Sequence, residues 1–379
     1  MLNKIQGIIN DSLSLIFVIW ICIPLLGGIL GWDISDTLGE KRTLARCPVL
    51  GEDPIKNIPD KFESFYKDHF GFRNGLIRSH NWIRYKLFKG ASYGKVFFGK
   101  GNWLFLAKSG TISDYLGQNP LTAEELEIWK INLEQRQKWL SERGIRYLFV
   151  IAPNKLSIYP EMLPDHVGKF KGKTRMDQLV EYLSKNSTFK ILDLRDALRQ
   201  AKKTALVYQE TDTHWTDRGG FIAYSEIIKR LAQWFSDIQH MKINNFSIVD
   251  QKLQGDLAVM LGLGEKLAEQ CETFKFVKPQ EAFYINFDIN VQHPQLKKIP
   301  NNWLATENKN GLYSLLFLHD SFGQHGKLQE YLSENFSRCV FIPITLDFSF
   351  LKSISEQEKP DIVIEEIAER KLRDIPNMD

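Results

Sequence analysis

The chain has 379 residues, 43% of them apolar and 12% aromatic, which is enough for one large or two modest globular units and argues against disorder throughout. Its formal net charge is +3, with acids and bases interspersed and no basic block to follow a phosphate backbone, so nucleic acid is not an expected partner. Of the four cysteines, Cys22 lies in an apolar run, and Cys47, Cys271 and Cys339 lack metal-ligand spacing and suit one disulfide or buried thiols.

From Ser12 to Trp32, SLSLIFVIWICIPLLGGILGW, no residue is charged, and about 20 apolar residues suffice to cross a bilayer as a helix. With no clear A-x-A cleavage site, the stretch reads as an uncleaved signal anchor with a cytoplasmic tip, residues 1–32. A buried core helix is the alternative. Lys4 is offset by Asp11, and Lys41, Arg42 and Arg46 follow the run, so charge alone does not orient it. Residues 33–58, with Pro48 and Pro54 and bounded by Pro59, form a linker.

Residues 59–110 predict a small module. Phe62, Phe65, Tyr66, Phe70, Leu76, Ile77, Ile83 and Leu87 recur mostly at helical spacing, broken at Gly71, so two helices are expected. KVFFGKGNWLFLA then reads as a hairpin turning at Gly99 to Asn102. Thr122 with Glu125 is a capping box for a helix over 122–143 that ends at Gly144.

Strand RYLFVIAP, a helix near 174–185, strand FKILDL, a helix near 195–203 and a long helix from Asp217 to Phe235 follow in alternation. LYSLLFL, a helix from Gln324 to Asn335, strand RCVFIPI and PDIVIEEIAERKL complete the order. Strand and helix in alternation imply a three-layer α/β/α fold around a mostly parallel sheet. A β-rich insertion over 240–303, with AFYINFDINV as its clearest strand, interrupts it.

LHDSFG, residues 318–323, closes an apolar run, and at such strand ends ligands bind. Ser321 there is either a nucleophile or a helix-capping serine. A serine hydroxyl needs a base, and ETDTHWTDRGGF supplies one candidate in His214. Asp212, two residues earlier, can accept from the imidazole Nδ1–H, fix the tautomer and leave Nε2 for a hydroxyl. Spacing alone equally fits a helix cap beside a half-exposed histidine.

TDTHWTDRGGFIAY and HDSFG, in this order after APNKLSIYPEMLP, resemble the SGNH-hydrolase-like domain of the alginate O-acetyltransferase family (AlgX/AlgJ-like). The resemblance covers roughly Pro59 to the C-terminus, so residues 59–379 are expected to form an SGNH-like (flavodoxin-like) catalytic domain. It implies Ser321 as nucleophile, His214 as base and Asp212 as orienter, moving acetyl groups to an exported polysaccharide from a donor delivered by a membrane-bound O-acyltransferase. It also implies an inner-membrane protein with its domain in the periplasm. A carbohydrate esterase with the same triad, or a non-catalytic polysaccharide-binding subunit of an export complex, stays open.

His319 stands where the family has glycine and either faces substrate or packs at the strand end. For the oxyanion, the Ser321 N–H at a helix N-terminus is the expected first donor, with Asn154 and Gly255 as further candidates. Lys155 and Tyr159 are candidate sugar contacts, Trp215 a shield for His214, Asp320 a turn residue, and Trp103, Trp129 and Trp303 either stacking platforms or core. There is no G-x-G-x-x-G after a strand and no P-loop, so no cofactor and no metal are expected.

Overall fold

A computed structural model of the chain describes residues 2–30, 43–87, 92–291, 293–294, 296 and 303–376. The chain divides into two units: residues 1–89 with 256–267, and residues 90–255 with 268–379.

In the first unit, helices Ile58–His69 and Arg73–Leu87 meet where the sequence breaks, at Gly71. Gly71 donates its N–H to the Pro24 carbonyl at 2.8 Å in helix Leu2–Ile29, and a Cβ on Gly71 would lie 2.5 Å from the Gly27 Cα, so only glycine fits. Asn81 donates its side-chain amide to the Leu261 carbonyl at 2.8 Å, tying in the 256–267 segment. Among the described residues no helix is long and apolar enough to cross a membrane, so the expected span at Ser12 to Trp32 is not borne out. Part of that stretch, and of the linker after it, lies outside the described residues.

Among its described residues the second unit holds twelve strands: β1 (Ser92–Tyr93), β2 (Val96–Phe98), β3 (Leu104–Leu106), β4 (Arg146–Ala152), β5 (Leu192–Asp193), β6 (Phe246–Leu253), β7 (Glu269–Phe276), β8 (Phe283–Ile285), β9 (Leu304–Glu307), β10 (Ser314–Leu318), β11 (Arg338–Ile342) and β12 (Ile362–Ala368). The hairpin expected around Gly99 to Asn102 forms, as β2 and β3, with β1 paired on β2. The main sheet has seven strands in the order β5-β4-β12-β10-β11-β9-β8.

Successive residues of each central strand feed opposite cores. Leu148 and Val150 of β4, Phe317 of β10 and Ile364 of β12 pack with helices Arg195–Ala201, Asp217–Leu231 and Leu328–Ser333. Tyr147 and Phe149, Leu316 and Val363 pack on the other face with helices Ala123–Ser141, Arg175–Asn186 and Phe348–Glu358. This is the three-layer arrangement the alternation implies. Thr122 and Glu125 form the expected capping box, and Gly144, at φ 75, ends that turn.

Two expectations need correction. The sheet is mixed: β5, β4, β12, β10 and β11 run parallel, but β9 pairs antiparallel to β11, and β8 antiparallel to β9. Only β9 is reversed, and β8, antiparallel to it, runs the same way as the central strands; both come from the segment around the insertion, which adds two antiparallel pairings at the edge of a parallel sheet. Within 240–303, AFYINFDINV keeps only the three residues of β8 as strand, and the longer pair is β6 with β7, eight residues each.

Candidate active site

Parallel pairing fixes where the chemistry gathers. Leu318 of β10 lies opposite Glu365 of β12, and Glu366 opposite Val150 of β4, so the carboxyl ends of three neighbouring strands open on one edge. Ser321 follows β10 there.

The chain after Leu318 does not enter a helix, contrary to expectation. Residues 321–327 form successive turns, Gly326 and Lys327 take positive φ of 62° and 57°, and the helix begins only at Leu328. Ser321 therefore sits in a turn held from below rather than at a helix N-terminus. The Asp320 carboxylate accepts from Phe322 N–H at 2.9 Å and, through its other oxygen, from Ala368 N–H at 2.8 Å. The wholly buried Glu366 carboxyl accepts from the N–H groups of Asp320 and Gly323, both at 3.1 Å. Burial, then the Asp320 charge, push the Glu366 pKa well above the usual carboxylate range.

His214 hangs in a loop closed by pairing of Tyr208 with Trp215 and by Thr216, whose N–H bonds the Val207 carbonyl and whose hydroxyl caps the next helix at Gly219. Asp212 Oδ1 accepts from the His214 backbone N–H and from ring Nδ1, each at 2.8 Å. Across the site, His214 Nε2 is 2.9 Å from Ser321 Oγ. With Nδ1–H donated to Asp212, Nε2 is the acceptor for the serine hydroxyl, so three residues form one continuous hydrogen-bonded line. Phe322 sets its ring edgewise against His214 and Trp215, with centroids 5.0 and 4.9 Å away.

The other anticipated residues support this line rather than face a substrate. Lys155 is buried, and its ammonium donates to the Gln209, Glu210 and Asp212 carbonyls, at 2.6 Å to the last. Its charge is used to shape the loop that carries Asp212. Tyr159 is core: its hydroxyl accepts from Val207 N–H at 3.0 Å and its ring lies 4.4 Å from that of Trp103. Gly255 provides clearance, since a Cβ there would meet the Thr211 carbonyl carbon at 2.2 Å. Trp215 is buried and donates Nε1–H to the His325 carbonyl at 2.9 Å. Trp103 and Trp129 are buried in the two cores.

His319 is packed. Its Nδ1 bonds the Asp320 carbonyl at 2.8 Å and its Nε2 the Gln329 side-chain amide at 3.0 Å, while burial lowers its pKa to about 4. It stays neutral, and the backbone turns tightly at Gly323 instead, where a Cβ would lie 2.5 Å from that of His319. Asn154 lies two residues beyond β4, donates its N–H to Glu369 at 2.8 Å, and has a buried side-chain amide nitrogen without a partner among the described residues. It lines a small cavity with Lys155, Thr213 and Arg370. All four cysteines are free, so the optional disulfide is absent.

Four residues escaped the sequence reading. Glu366 and Glu269 pin the serine turn and the Asp212 loop, the latter by accepting from the N–H groups of Glu210 and Thr211, both at 2.8 Å. His325 stacks flat on His214, centroids 3.7 Å apart and planes 5° from parallel. Arg370 reaches Ser321 Oγ at 3.2 Å. They arrive from strand and turn positions with no motif spacing to the serine or the histidine, so only the folded register reveals them.

Residues 96–283 match the family model described as SGNH hydrolase-like domain, acetyltransferase AlgX, a segment that contains Asp212 and His214 and ends before Ser321. The probable alginate O-acetylase AlgJ of Pseudomonas aeruginosa is 28% identical over 200 residues, 52% of this chain and 46% of that protein. Its counterpart from Pseudomonas fluorescens is 29% identical over 226 residues, 57% of this chain and 52% of that protein. The chain thus spans about half the length of these curated relatives. The solved structure of Bacillus cereus PatB1 superposes with a TM-score of 0.51 at 14% identity, over 73% of this chain and 96% of that one, a likeness of fold alone.

Proposed function

We propose that this chain is an O-acetyltransferase that acetylates a polysaccharide through an acetyl-serine at Ser321, a reading supported by the match of residues 96–283 to the model of the SGNH hydrolase-like domain of acetyltransferase AlgX. The observation that carries this reading is the unbroken line from Asp212 through His214 to the Ser321 hydroxyl, 2.8 and 2.9 Å per link.

In the first half-reaction Ser321 Oγ bonds to the acetyl carbonyl carbon as its proton passes to His214 Nε2. The carbonyl electron pair moves onto its oxygen and returns to expel the donor's leaving oxygen, which takes the proton from Nε2. Asp212 stabilises the imidazolium formed between these events and holds its ring in plane. In the second half, a sugar hydroxyl repeats the sequence on the acetyl carbon: its proton goes to Nε2, the new ester forms, and Ser321 leaves with that proton.

We also propose that the chain works outside the cytoplasm at the inner membrane, where a membrane-bound O-acyltransferase supplies the acetyl group. The alginate pathway names of its relatives support this. Protease accessibility of the chain in intact spheroplasts tests that placement, which protection of the whole chain would refute.

Intact-protein mass spectrometry after exposure to an acetyl ester tests the chemistry. An added acetyl group on wild type that is mapped to Ser321, absent in Ser321→Ala, and discharged faster by added polysaccharide than by water supports the transferase. Discharge by water alone identifies an esterase, and no labelling at all a binding subunit.

A further inference from the structure

Arg370 stands two residues beyond β12, in the turn Glu369–Arg373. That position follows from strand order: β12 pairs directly with β10, so the residue that follows its carboxyl end faces the turn that follows β10. There its Nη2 donates to Ser321 Oγ at 3.2 Å. Its guanidinium lies against the ring of Phe322, the residue after the serine, 5.3 Å from the centroid. Phe322 is itself wedged among Tyr208, His214 and Trp215, so the plane of the cation is set by the same ring that seats the imidazole.

The other cations on this edge are committed elsewhere. Lys155 is consumed by three carbonyls, and Lys371 lies 3.9 Å from Asp320 and bonds Thr345. Arg370, among the described residues, forms no ion pair, and its hydrogen bond goes to the serine oxygen. A permanently charged five-donor fork placed on a nucleophile, with no ion pair among the described residues, is an uncommon arrangement for a purely structural arginine.

We propose that Arg370 is a catalytic residue of the acyl-transfer step: it orients the Ser321 hydroxyl and stabilises the negative charge that develops as that oxygen attacks. Because Oγ already donates its proton to His214, an N–H from Arg370 occupies one of its lone pairs and directs the other toward the incoming carbonyl carbon. As the Oγ–C bond forms and the proton leaves for Nε2, the carbonyl pair shifts onto its oxygen, bound to the same carbon and therefore next to the same guanidinium. A neighbouring N–H of the fork is placed to follow that charge, and it releases it when the pair returns and the leaving oxygen departs with the Nε2 proton. This extends the donor set beyond backbone amides, at a turn where no helix N-terminus supplies one. The inference rests on the acetyl-serine reading.

The test uses the full chain and p-nitrophenyl acetate, following the nitrophenolate burst and the acetyl mass on Ser321 without any acceptor. Wild type is compared with Arg370→Ala, Arg370→Gln and Arg370→Lys. Loss of one such donor lowers acylation by roughly 10²-fold or more, so the Ala and Gln variants are expected to fall by that much. The Lys variant should fall less, and guanidinium ion added to Arg370→Ala should restore part of the rate, a response that lost packing on Phe322 would not give. Unchanged acylation in Arg370→Ala with wild type active overturns the inference and leaves the acetyl-serine standing. Unchanged acylation with a raised KM for the polysaccharide overturns it too, and assigns Arg370 to the acceptor. A wild type that never gains an acetyl group overturns the acetyl-serine reading itself, and this inference with it.

Discussion

Asp212 carries little bulk and a large consequence. Its Oδ1 accepts from both the backbone and the ring of His214, so one oxygen sets where the histidine sits and which nitrogen keeps its proton. Asp212→Asn preserves the shape and replaces an acceptor with an amide that satisfies either tautomer. The rate of Ser321 acetylation by an acetyl ester is expected to drop by about 10³-fold or more, with the thermal midpoint close to that of wild type. A loss below tenfold would show that the carboxylate does not orient the base. This pair was legible in the sequence because its two members are separated by one residue and their geometry is local. His325, Glu269, Glu366 and Arg370 were not, because what places each of them is tertiary register rather than spacing. Lys155 and Tyr159 show the reverse: a lysine and a tyrosine after a strand read as solvent-facing ligands, but each is drawn inward by the loop it holds.

The element that brings the two halves of the site together is the start of helix Asp217–Leu231. Gly220 in its first turn packs so tightly on the turn after Ser321 that an added Cβ would lie 2.0 Å from the Gly326 carbonyl oxygen. A Cβ added on Gly219 beside it would lie 2.2 Å from the Val207 carbonyl oxygen, which closes the loop bearing His214. The histidine loop and the serine turn can approach because the helix has no side chains there. In an exposed helix, alanine in place of glycine stabilises by about 1 kcal/mol. Gly220→Ala is expected to do the opposite here, costing about 1–3 kcal/mol through backbone overlap, with the acetylation rate reduced even in the folded fraction. Urea unfolding followed by burst kinetics checks both, and a variant more stable than wild type would deny the close approach. The sequence exposed the glycine pair but not its purpose. It also misread the segment after Ser321 as a helix, because polar periodicity from Gln324 onward outweighed the two glycines that turn the chain. Capping chemistry succeeded at Thr122, where the signal lies within one turn.

At the scale of the molecule, alternating strands and helices made the parallel centre of the sheet readable, while the antiparallel edge was hidden in a polar insertion whose strands alternate weakly. The central strand that pattern could not interpret is β12, IVIEEIA, which places two acids in a fully buried strand with a third just after it. Glu365 is matched by Arg136 at 3.1 Å and by the Tyr147 hydroxyl at 2.8 Å. Among the described residues Glu369 forms no ion pair, and its carboxyl accepts from the Asn154 N–H and the Ser157 hydroxyl at 2.8 and 2.7 Å. Burial raises its pKa to about 7, against smaller opposing effects of those donors and of Arg195. An unfolded glutamate releases its proton near 4.5, so between there and about 7 the folded chain binds more protons than the unfolded one. Stability must then fall as pH rises through that window and level off above it, by on the order of 3 kcal/mol for this group. Glu366, also raised, adds a change of the same sign. Glu369→Gln keeps the shape and cannot titrate, so its unfolding free energy is expected to decline less than that of wild type between pH 5 and 8, measured by urea denaturation at each pH. The two curves should converge toward the acid end, where wild-type Glu369 is neutral as well, and separate toward the alkaline end. Curves that stay parallel across the window would mean that the carboxyl ionises in the folded chain as readily as in water, and that Asn154 and Ser157 are held by a charge rather than by a proton-bearing acid beneath the catalytic edge.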